Sequence, residues 1–131
     1  MPEALADTSV IIALLTNEKE QRQLLQVLDG YELVCAASID AEIGNAVSAM
    51  FRRGRISLSQ GLAIAESFKE AQFRTLPLNL ARAVEISHIC GIYAYDAYVL
   101  ECAERLHAPL VTLDRGMKKA AEALNLTSIE V

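Results

Sequence analysis

The chain has 131 residues and a formal net charge of −5 at pH 7. This length suits one domain with a buried core, so we expect a single domain that spans residues 1–131. The negative charge argues against a protein that coats nucleic acid by bulk electrostatic attraction, although it leaves room for an enzyme that acts on nucleic acid.

Several features predict a cytoplasmic protein with no membrane segment. No run of apolar residues approaches the roughly 20 that a membrane-spanning helix needs, and the start Met1-Pro2-Glu3-Ala4 lacks the basic region of a secretory signal. Cys35, Cys90 and Cys102 form no C-x-x-C pair and are odd in number, which suits buried thiols in a reducing compartment. The mean hydropathy of +0.25 predicts that a partner or a second copy covers some apolar surface.

In the first half of the chain, short apolar strands alternate with helices. We predict strands at residues 5–6 and 32–35, and helices at residues 10–15, 18–28 and 38–53. The third helix has Ser38 as its predicted N-cap, and its apolar residues recur at helical spacing.

The second half continues the same alternation. Helices are predicted at residues 57–69, 79–90, 96–106 and from Asp114 through Leu124. Strands are predicted at residues 73–76, 110–113 and 128–130. Strands that alternate with helices predict an α/β fold with a central parallel sheet and helices on both faces.

Four acidic residues lie where strands end or helices begin. Asp7 follows the first strand, Glu42 and Asp96 open helices, and Asp114 ends the strand at 110–113. One such residue alone would be an ordinary helix cap, but the carboxyl ends of parallel strands share one edge, where open α/β folds bind ligands. Because neighbouring carboxylates raise one another's pKa unless a cation neutralises them, the set of four predicts a Mg²⁺ or Mn²⁺ site.

The residues around these acids form four motifs. They are Asp7-Thr8-Ser9, Glu42-Ile43-Gly44-Asn45-Ala46, Tyr95-Asp96-Ala97-Tyr98 and the segment 108–114, which ends Val111-Thr112-Leu113-Asp114. In this order the chain resembles the PIN-domain ribonucleases, especially the VapC toxins of prokaryotic toxin–antitoxin pairs, from Asp7 to the C-terminus. The resemblance implies an α/β/α sandwich whose carboxylates bind Mg²⁺ or Mn²⁺ and direct water onto an RNA phosphodiester.

Roles follow for individual residues. Asp7, Asp96 and Asp114 are the expected metal ligands, and Glu42 is an outer ligand, a ligand of a second metal or the acceptor of the water's proton. Four further residues are placed to orient carboxylates or metal-bound water: Thr8, Ser9, Asn45 and Thr112. Some family members have another acidic residue shortly after the last aspartate, but here Arg115, Gly116 and Met117 stand there. This favours one firmly bound ion, with another that arrives with the substrate.

Basic residues are grouped into two clusters. Arg115, Lys118 and Lys119 directly follow Asp114, and we expect Arg115 and Lys118 to contact RNA phosphates. Arg52, Arg53 and Arg55 stand at the end of a predicted helix, where a solvated helix end is the commoner explanation and a phosphate contact the less favoured one.

The resemblance also implies partners: an RNA substrate, a VapB-like antitoxin and a second copy in a homodimer. The alternatives are a housekeeping PIN-type nuclease, a receiver-like signalling module and a metal-free interaction domain. A receiver needs a phospho-accepting aspartate on a middle strand, but no aspartate occurs between Asp40 and Asp96. Intact acids at all four positions argue against the metal-free domain.

Overall fold

Successive strands are separated by pairs of helices, and a seventh helix follows the last strand, in a computed structural model that describes residues 1–131. The strands are β1 (Glu3–Ala6), β2 (Glu32–Ala36), β3 (Arg74–Leu76) and β4 (Leu110–Val111). The helices are α1 (Thr8–Leu15), α2 (Gln21–Val27), α3 (Ile39–Arg52), α4 (Leu58–Ala71), α5 (Leu80–Cys90), α6 (Ala94–Leu106) and α7 (Arg115–Ala123).

The strands form one four-stranded sheet in the order β3-β2-β1-β4, and every pairing is parallel. Leu5 of β1 pairs with Val34 on one side and with Leu110 on the other, so β1 lies in the interior of the sheet. Since parallel strands end at the same edge, the segments that leave β1, β2 and β4 start side by side. The predicted parallel α/β sheet is confirmed.

Each face of the sheet is covered by helices because successive strand residues point to opposite sides. Leu5, Val34 and Leu110 lie in one apolar cluster with residues of α5, α6 and α7. Their neighbours Ala6, Cys35 and Val111 lie in a second cluster with residues of α1 to α4. The predicted α/β/α sandwich is therefore what the chain forms.

Some predicted boundaries are wrong near the C-terminus. The strand predicted at residues 110–113 ends at Val111, because the amides of Leu113 and Asp114 donate to the side-chain hydroxyls of Ser9 and Thr112 (both 3.0 Å). The strand predicted at residues 128–130 is reduced to one parallel bridge between Ser128 and Leu110. None of the helices combines the length and the apolar composition that a membrane-spanning segment requires.

The buried carboxylate of Glu101 and its exposed partner Arg105 fix α6 against the loop that precedes α5. Glu101 is only 2% exposed and accepts from the guanidinium of Arg105 (2.7 and 2.9 Å) and from the amide of Asn79 (3.3 Å). Arg105 also donates to the carbonyl of Pro77 (2.6 Å). Because a buried charge is costly without partners, these bonds specify the position of α6, whose first turn contains Asp96.

The three cysteines form no disulfide, and Cys35 and Cys102 are buried. Burial raises the pKa of the Cys35 thiol to about 12, and the negative charges of Glu42 and Asp7 contribute to this rise. A thiol with such a pKa is almost entirely protonated at neutral pH, and Cys35 is buried, as the sequence predicts.

Candidate active site

Asp7 joins the end of β1 to the start of α1. One of its carboxylate oxygens, Oδ1, accepts from the amide of Val10 (3.2 Å) and the hydroxyl of Ser9 (2.5 Å), and so caps α1. The other, Oδ2, accepts from the hydroxyl of Thr112. A carboxylate has about four lone-pair positions, so the protein occupies three of them and leaves one on Oδ2.

The loop that follows β4 is tied to the start of α1. The Ser9 hydroxyl accepts from the amide of Leu113, and the Thr112 hydroxyl accepts from the amide of Asp114 (both 3.0 Å). Asp114 then caps α7, since its Oδ1 accepts from the amide of Gly116 (2.8 Å). These bonds bring the end of β4 to the same point of the sheet edge as Asp7.

Glu42 lies in the first turn of α3, and two hydroxyls hold its carboxylate. Thr8 donates to Oε1 (2.8 Å) and Ser38 donates to Oε2 (2.6 Å). Ser38 stands at the N-cap position as predicted, but its side chain forms no capping bond. The sequence analysis did not predict that Ser38 holds Glu42. The two residues are four positions apart, a spacing that places side chains next to each other on a helix and could have indicated this contact.

Asp96 and Asn45 differ from the other predicted site residues in their contacts. Asp96 lies in the first turn of α6, is half-buried and accepts no hydrogen bond from the protein, so its carboxylate is free to bind a ligand. Asn45 is exposed and forms no hydrogen bond with any of the four acids. The structure thus brings Thr8, Ser9 and Thr112 to the acids but does not join Asn45 to them.

The four acids share one electrostatic field. Burial raises the pKa of Asp7 above its ordinary value, and the charge of Asp114 adds to this rise, while hydrogen bonds from Ser9, Thr112 and Val10 oppose it. Burial and then the charge of Asp114 raise the pKa of Asp96.

Glu42 belongs to the same field. Burial raises its pKa, bonds from Ser38 and Thr8 lower it, and the charges of Asp96 and Asp7 raise it again. Asp7, Glu42 and Asp96 therefore each feel the charge of at least one other acid of the set, which stabilises the neutral form of their carboxyl groups.

This donor set suits a hard divalent cation. The ion pairs of the chain involve Arg74, Arg82 and Arg105, so no lysine or arginine neutralises the four acids. All the available donors are oxygens, which Mg²⁺ and Mn²⁺ prefer. No three His, Cys, Asp or Glu side chains are grouped closely enough to hold an ion by themselves. An ion bound here would therefore need waters among its ligands, as Mg²⁺ commonly has.

The family model of the PIN domain matches residues 4–123, which include all four acids. The chain belongs to the PIN-domain family. This confirms the predicted resemblance, and PIN domains are generally nucleases, which hydrolyse phosphodiester bonds. No curated protein matches this chain.

Solved structures share this PIN fold. FitAcB from Neisseria gonorrhoeae is 21% identical with a TM-score of 0.69, and the match covers 97% of this chain and 96% of that one. VapBC2 from Rickettsia felis, bound to a DNA fragment from its promoter, is 15% identical with a TM-score of 0.64 and 96% coverage of both chains. A toxin–antitoxin complex from Klebsiella pneumoniae is 18% identical with a TM-score of 0.60, covering 85% of this chain and 86% of that one. At these identities the likeness shows the fold.

We expect Asp7→Asn to raise the melting temperature in metal-free buffer near neutral pH by a few °C. Since burial raises the pKa of Asp7, the ionised carboxylate costs folding free energy that the isosteric amide avoids. The gain in stability of Asp7→Asn over the wild type is fully present above the folded-state pKa of Asp7 and shrinks as the pH falls through that pKa. It disappears below the ordinary value of 3.8, where Asp7 is neutral in both the folded and the unfolded chain.

Thermal denaturation followed by circular dichroism from pH 8 to pH 3 measures this effect. Asp29→Asn, at an exposed turn, is the matched control and should leave the melting temperature unchanged. A less stable Asp7→Asn at every pH would show that the bonds from Ser9, Val10 and Thr112 outweigh the cost of burial.

Proposed function

We propose that this chain is a metal-dependent endoribonuclease and the VapC-type toxin of a type II toxin–antitoxin system. The observation that supports this proposal is the shared field of Asp7, Glu42, Asp96 and Asp114 at one sheet edge of a PIN-domain chain. Such a field is unfavourable unless a cation is bound, and it lies where parallel sheets bind their ligands.

Asp7, Asp96 and Asp114 would hold the ion, Mg²⁺ or Mn²⁺, through oxygens that the protein's own donors leave free. Asp96 and Asp114 offer the more accessible oxygens, because only one lone-pair position of Asp7 remains. When bound, the ion would lower the pKa of coordinated water and stabilise negative charge on phosphoryl oxygens. Because Arg115, Gly116 and Met117 stand where a further acid would support a second metal, we propose one firmly held ion, with another that arrives with the substrate.

Glu42 is the proposed acceptor of the attacking water's proton. Its raised pKa makes its carboxylate a stronger base than that of an exposed glutamate. Thr8 and Ser38 each hold one of its oxygens, which fixes the direction in which the remaining lone pairs point. Ser9 and Thr112 likewise each hold one oxygen of Asp7, so the orientation of this proposed metal ligand is fixed relative to Glu42.

Asp96→Asn should lower the rate of RNA cleavage by at least about a hundredfold, because it removes the acid that no protein donor satisfies. Excess EDTA should abolish cleavage, and added Mg²⁺ or Mn²⁺ should restore it. Asp40→Asn, at an exposed position on α3, is the control and should cleave normally. Gel analysis of cleaved total RNA with mapping of the ends measures this, and full activity in EDTA would exclude the metal-dependent mechanism.

Arg115 and Lys118 are the proposed binding groups for substrate phosphates beside the acids. Arg115 is exposed at the start of α7, Lys118 lies one turn later, and neither forms an ion pair. Cations next to Asp114 would offset the repulsion between the acidic edge and an RNA strand.

The double variant Arg115→Ala/Lys118→Ala should bind RNA more weakly, and its log–log salt slope should fall by roughly 0.7 for each phosphate that is no longer neutralised. Titration of a four-nucleotide RNA at several salt concentrations, with EDTA present to prevent cleavage, measures the slope. The exposed residue Lys119, on the same helix, serves as the control through Lys119→Ala. An unchanged slope in the double variant would show that both residues are solvated helix charges.

An apolar cleft between α3 and α4 is the proposed antitoxin surface. Its volume is about 490 Å³, and its lining includes Ile43, Val47 and Phe51 of α3 and Leu58, Leu62 and Phe68 of α4. Leu58 and Leu62 remain 67% and 57% exposed. Gly61 allows the two helices to approach, since a Cβ there would lie 2.3 Å from Cζ of Phe51.

One end of the cleft lies at the first turn of α3, where Asp40 and Ile43 line it, and the same turn contains Glu42. An amphipathic antitoxin helix in the cleft would place a terminal Arg or Lys beside the carboxylates and block the metal site. The toxin–antitoxin complex with the same fold supports this choice of partner.

We also propose a homodimer. Apolar side chains on α5 and just before α6 remain exposed in the single chain: Leu80 (62%), Val84 (56%), Ile89 (60%) and Tyr93 (88%). An exposed apolar surface of this kind is typical of an interface.

Expression of the chain alone should arrest growth, and co-expression with the product of the adjacent gene should restore it. Leu62→Asp should abolish this rescue by introducing a charge into the cleft, without affecting RNA cleavage. Leu25→Asp, at a similarly exposed apolar position on α2, is the matched control and should still be rescued. A chain that is harmless without its neighbour would instead favour a housekeeping PIN-type nuclease. The receiver-like module is not supported, because the family is the PIN domain.

A further inference from the structure

The turn between α3 and α4 concentrates positive charge at a distance from the acidic site. Arg52 ends α3, and Arg53 and Arg55 flank Gly54, whose φ of +64° lies in the left-handed region. All three arginines are exposed. We call these three residues the arginine turn.

The arginine turn is not neutralised by the protein. Arg74 pairs with Glu3, Arg82 with Glu104, and Arg105 with Glu101. No acid pairs with Arg52, Arg53 or Arg55, although acidic residues outnumber basic ones by 17 to 12. The negative end of the α3 dipole explains a cation in the last turn, such as Arg52, but it does not explain Arg55, which lies beyond the helix.

The backbone of this turn is fixed on both sides. The amides of Gly54 and Arg55 donate to the carbonyls of Phe51 and Met50 (both 3.0 Å). On the α4 side, Ser57 and Gln60 form a reciprocal capping box (2.8 and 3.2 Å). A turn held in this way loses little backbone entropy when it binds a ligand.

The length of α3 sets the distance between the arginine turn and the acids. Glu42 and Arg53 are separated by about 16 Å along the helix at roughly 1.5 Å per residue. A stacked nucleic acid strand advances about 3.4 Å per nucleotide, so this distance corresponds to about five nucleotides. The arginine turn is therefore too far to contact the phosphate at the acids and suits a phosphate in the flanking strand.

We propose that Arg52, Arg53 and Arg55 form a second phosphate-binding site, which anchors RNA about five nucleotides from the bond that the acids cleave. The choice of RNA as the ligand rests on the proposed function. Guanidinium groups bind phosphate oxygens bidentately, and an anchor outside the acidic edge offsets the repulsion that the strand meets there. RNAs too short to span both sites gain nothing from the anchor.

The test compares two triple variants that change the net charge equally. Arg52→Ala/Arg53→Ala/Arg55→Ala removes the arginine turn, and Arg22→Ala/Lys69→Ala/Lys119→Ala removes three exposed, unpaired cations that are dispersed over α2, α4 and α7. Binding of unstructured 4-nucleotide and 20-nucleotide RNAs is measured by fluorescence anisotropy in EDTA, at several salt concentrations. Melting temperatures confirm that both variants fold.

We expect loss of the arginine turn to weaken binding of the 20-nucleotide RNA about tenfold or more and to lower the salt slope by about 2, at roughly 0.7 per phosphate that is no longer neutralised. Binding of the 4-nucleotide RNA should be unchanged, and the dispersed variant should differ from the wild type less than twofold. An equal loss of affinity for the 20-nucleotide RNA in the two triple variants would overturn the proposal by showing a general charge effect. So would a loss of affinity for the 4-nucleotide RNA as large as that for the 20-nucleotide RNA. So would preferential binding of polyglutamate over the 20-nucleotide RNA, which would indicate an acidic protein partner.

Cleavage assays on the same proteins separate this proposal from the proposed function. A wild type that binds the long RNA through the arginine turn but cleaves no RNA would contradict the nuclease assignment and support the anchor. A wild type that cleaves RNA while loss of the arginine turn leaves binding intact would support the nuclease assignment and contradict the anchor.

Discussion

The position of Asp7 is the constraint on which the rest of the structure depends. A single carboxylate ends β1, caps α1 and accepts the Thr112 hydroxyl from the segment after β4. Each of these bonds lowers the cost of burying a charge, and each also fixes a different part of the chain at the sheet edge. The fold and the candidate site therefore use the same hydrogen bonds.

This arrangement explains why much of the site could be predicted from sequence. Asp7 and Asp114 combine an apolar strand before them with a helix after them, and local rules of capping and strand order place both at one edge of the sheet. Asp96 has no strand before it and was indicated only as an acid that opens a helix, and α6 in fact begins two residues before it, at Ala94. The order of apolar strands and helices was sufficient to predict a sheet between two layers of helices. The apolar neighbours Leu5 and Ala6 point to opposite faces of the sheet, so both faces must be covered.

What sequence reasoning missed depends on contacts between distant segments. Ser38 had a sufficient local explanation as a helix cap, and only the approach of Thr8 to Glu42 shows that two hydroxyls share that carboxylate. Asn45 follows Glu42 by one helical turn, yet the helix presents it to solvent. The ladder of β4 ends early because Ser9, more than a hundred residues away in the chain, bonds the Leu113 amide. Hydrophobic periodicity carries no information about such bonds.

Cys35 gives the protein an internal reporter of its own stability. The thiol lies in the sheet directly after Val34, on the face covered by α1 and α3, and it is close enough to Asp7 and Glu42 to feel their charges. It is fully buried and protonated, so it reacts with a thiol reagent only when this part of the core opens. The modification rate of Cys35 thus measures the opening free energy of the sheet beneath the carboxylates. A ligand that neutralises those carboxylates stabilises the closed state. The modification of Cys35 then becomes slower by the same factor by which the ligand shifts the equilibrium between open and closed states toward the closed one.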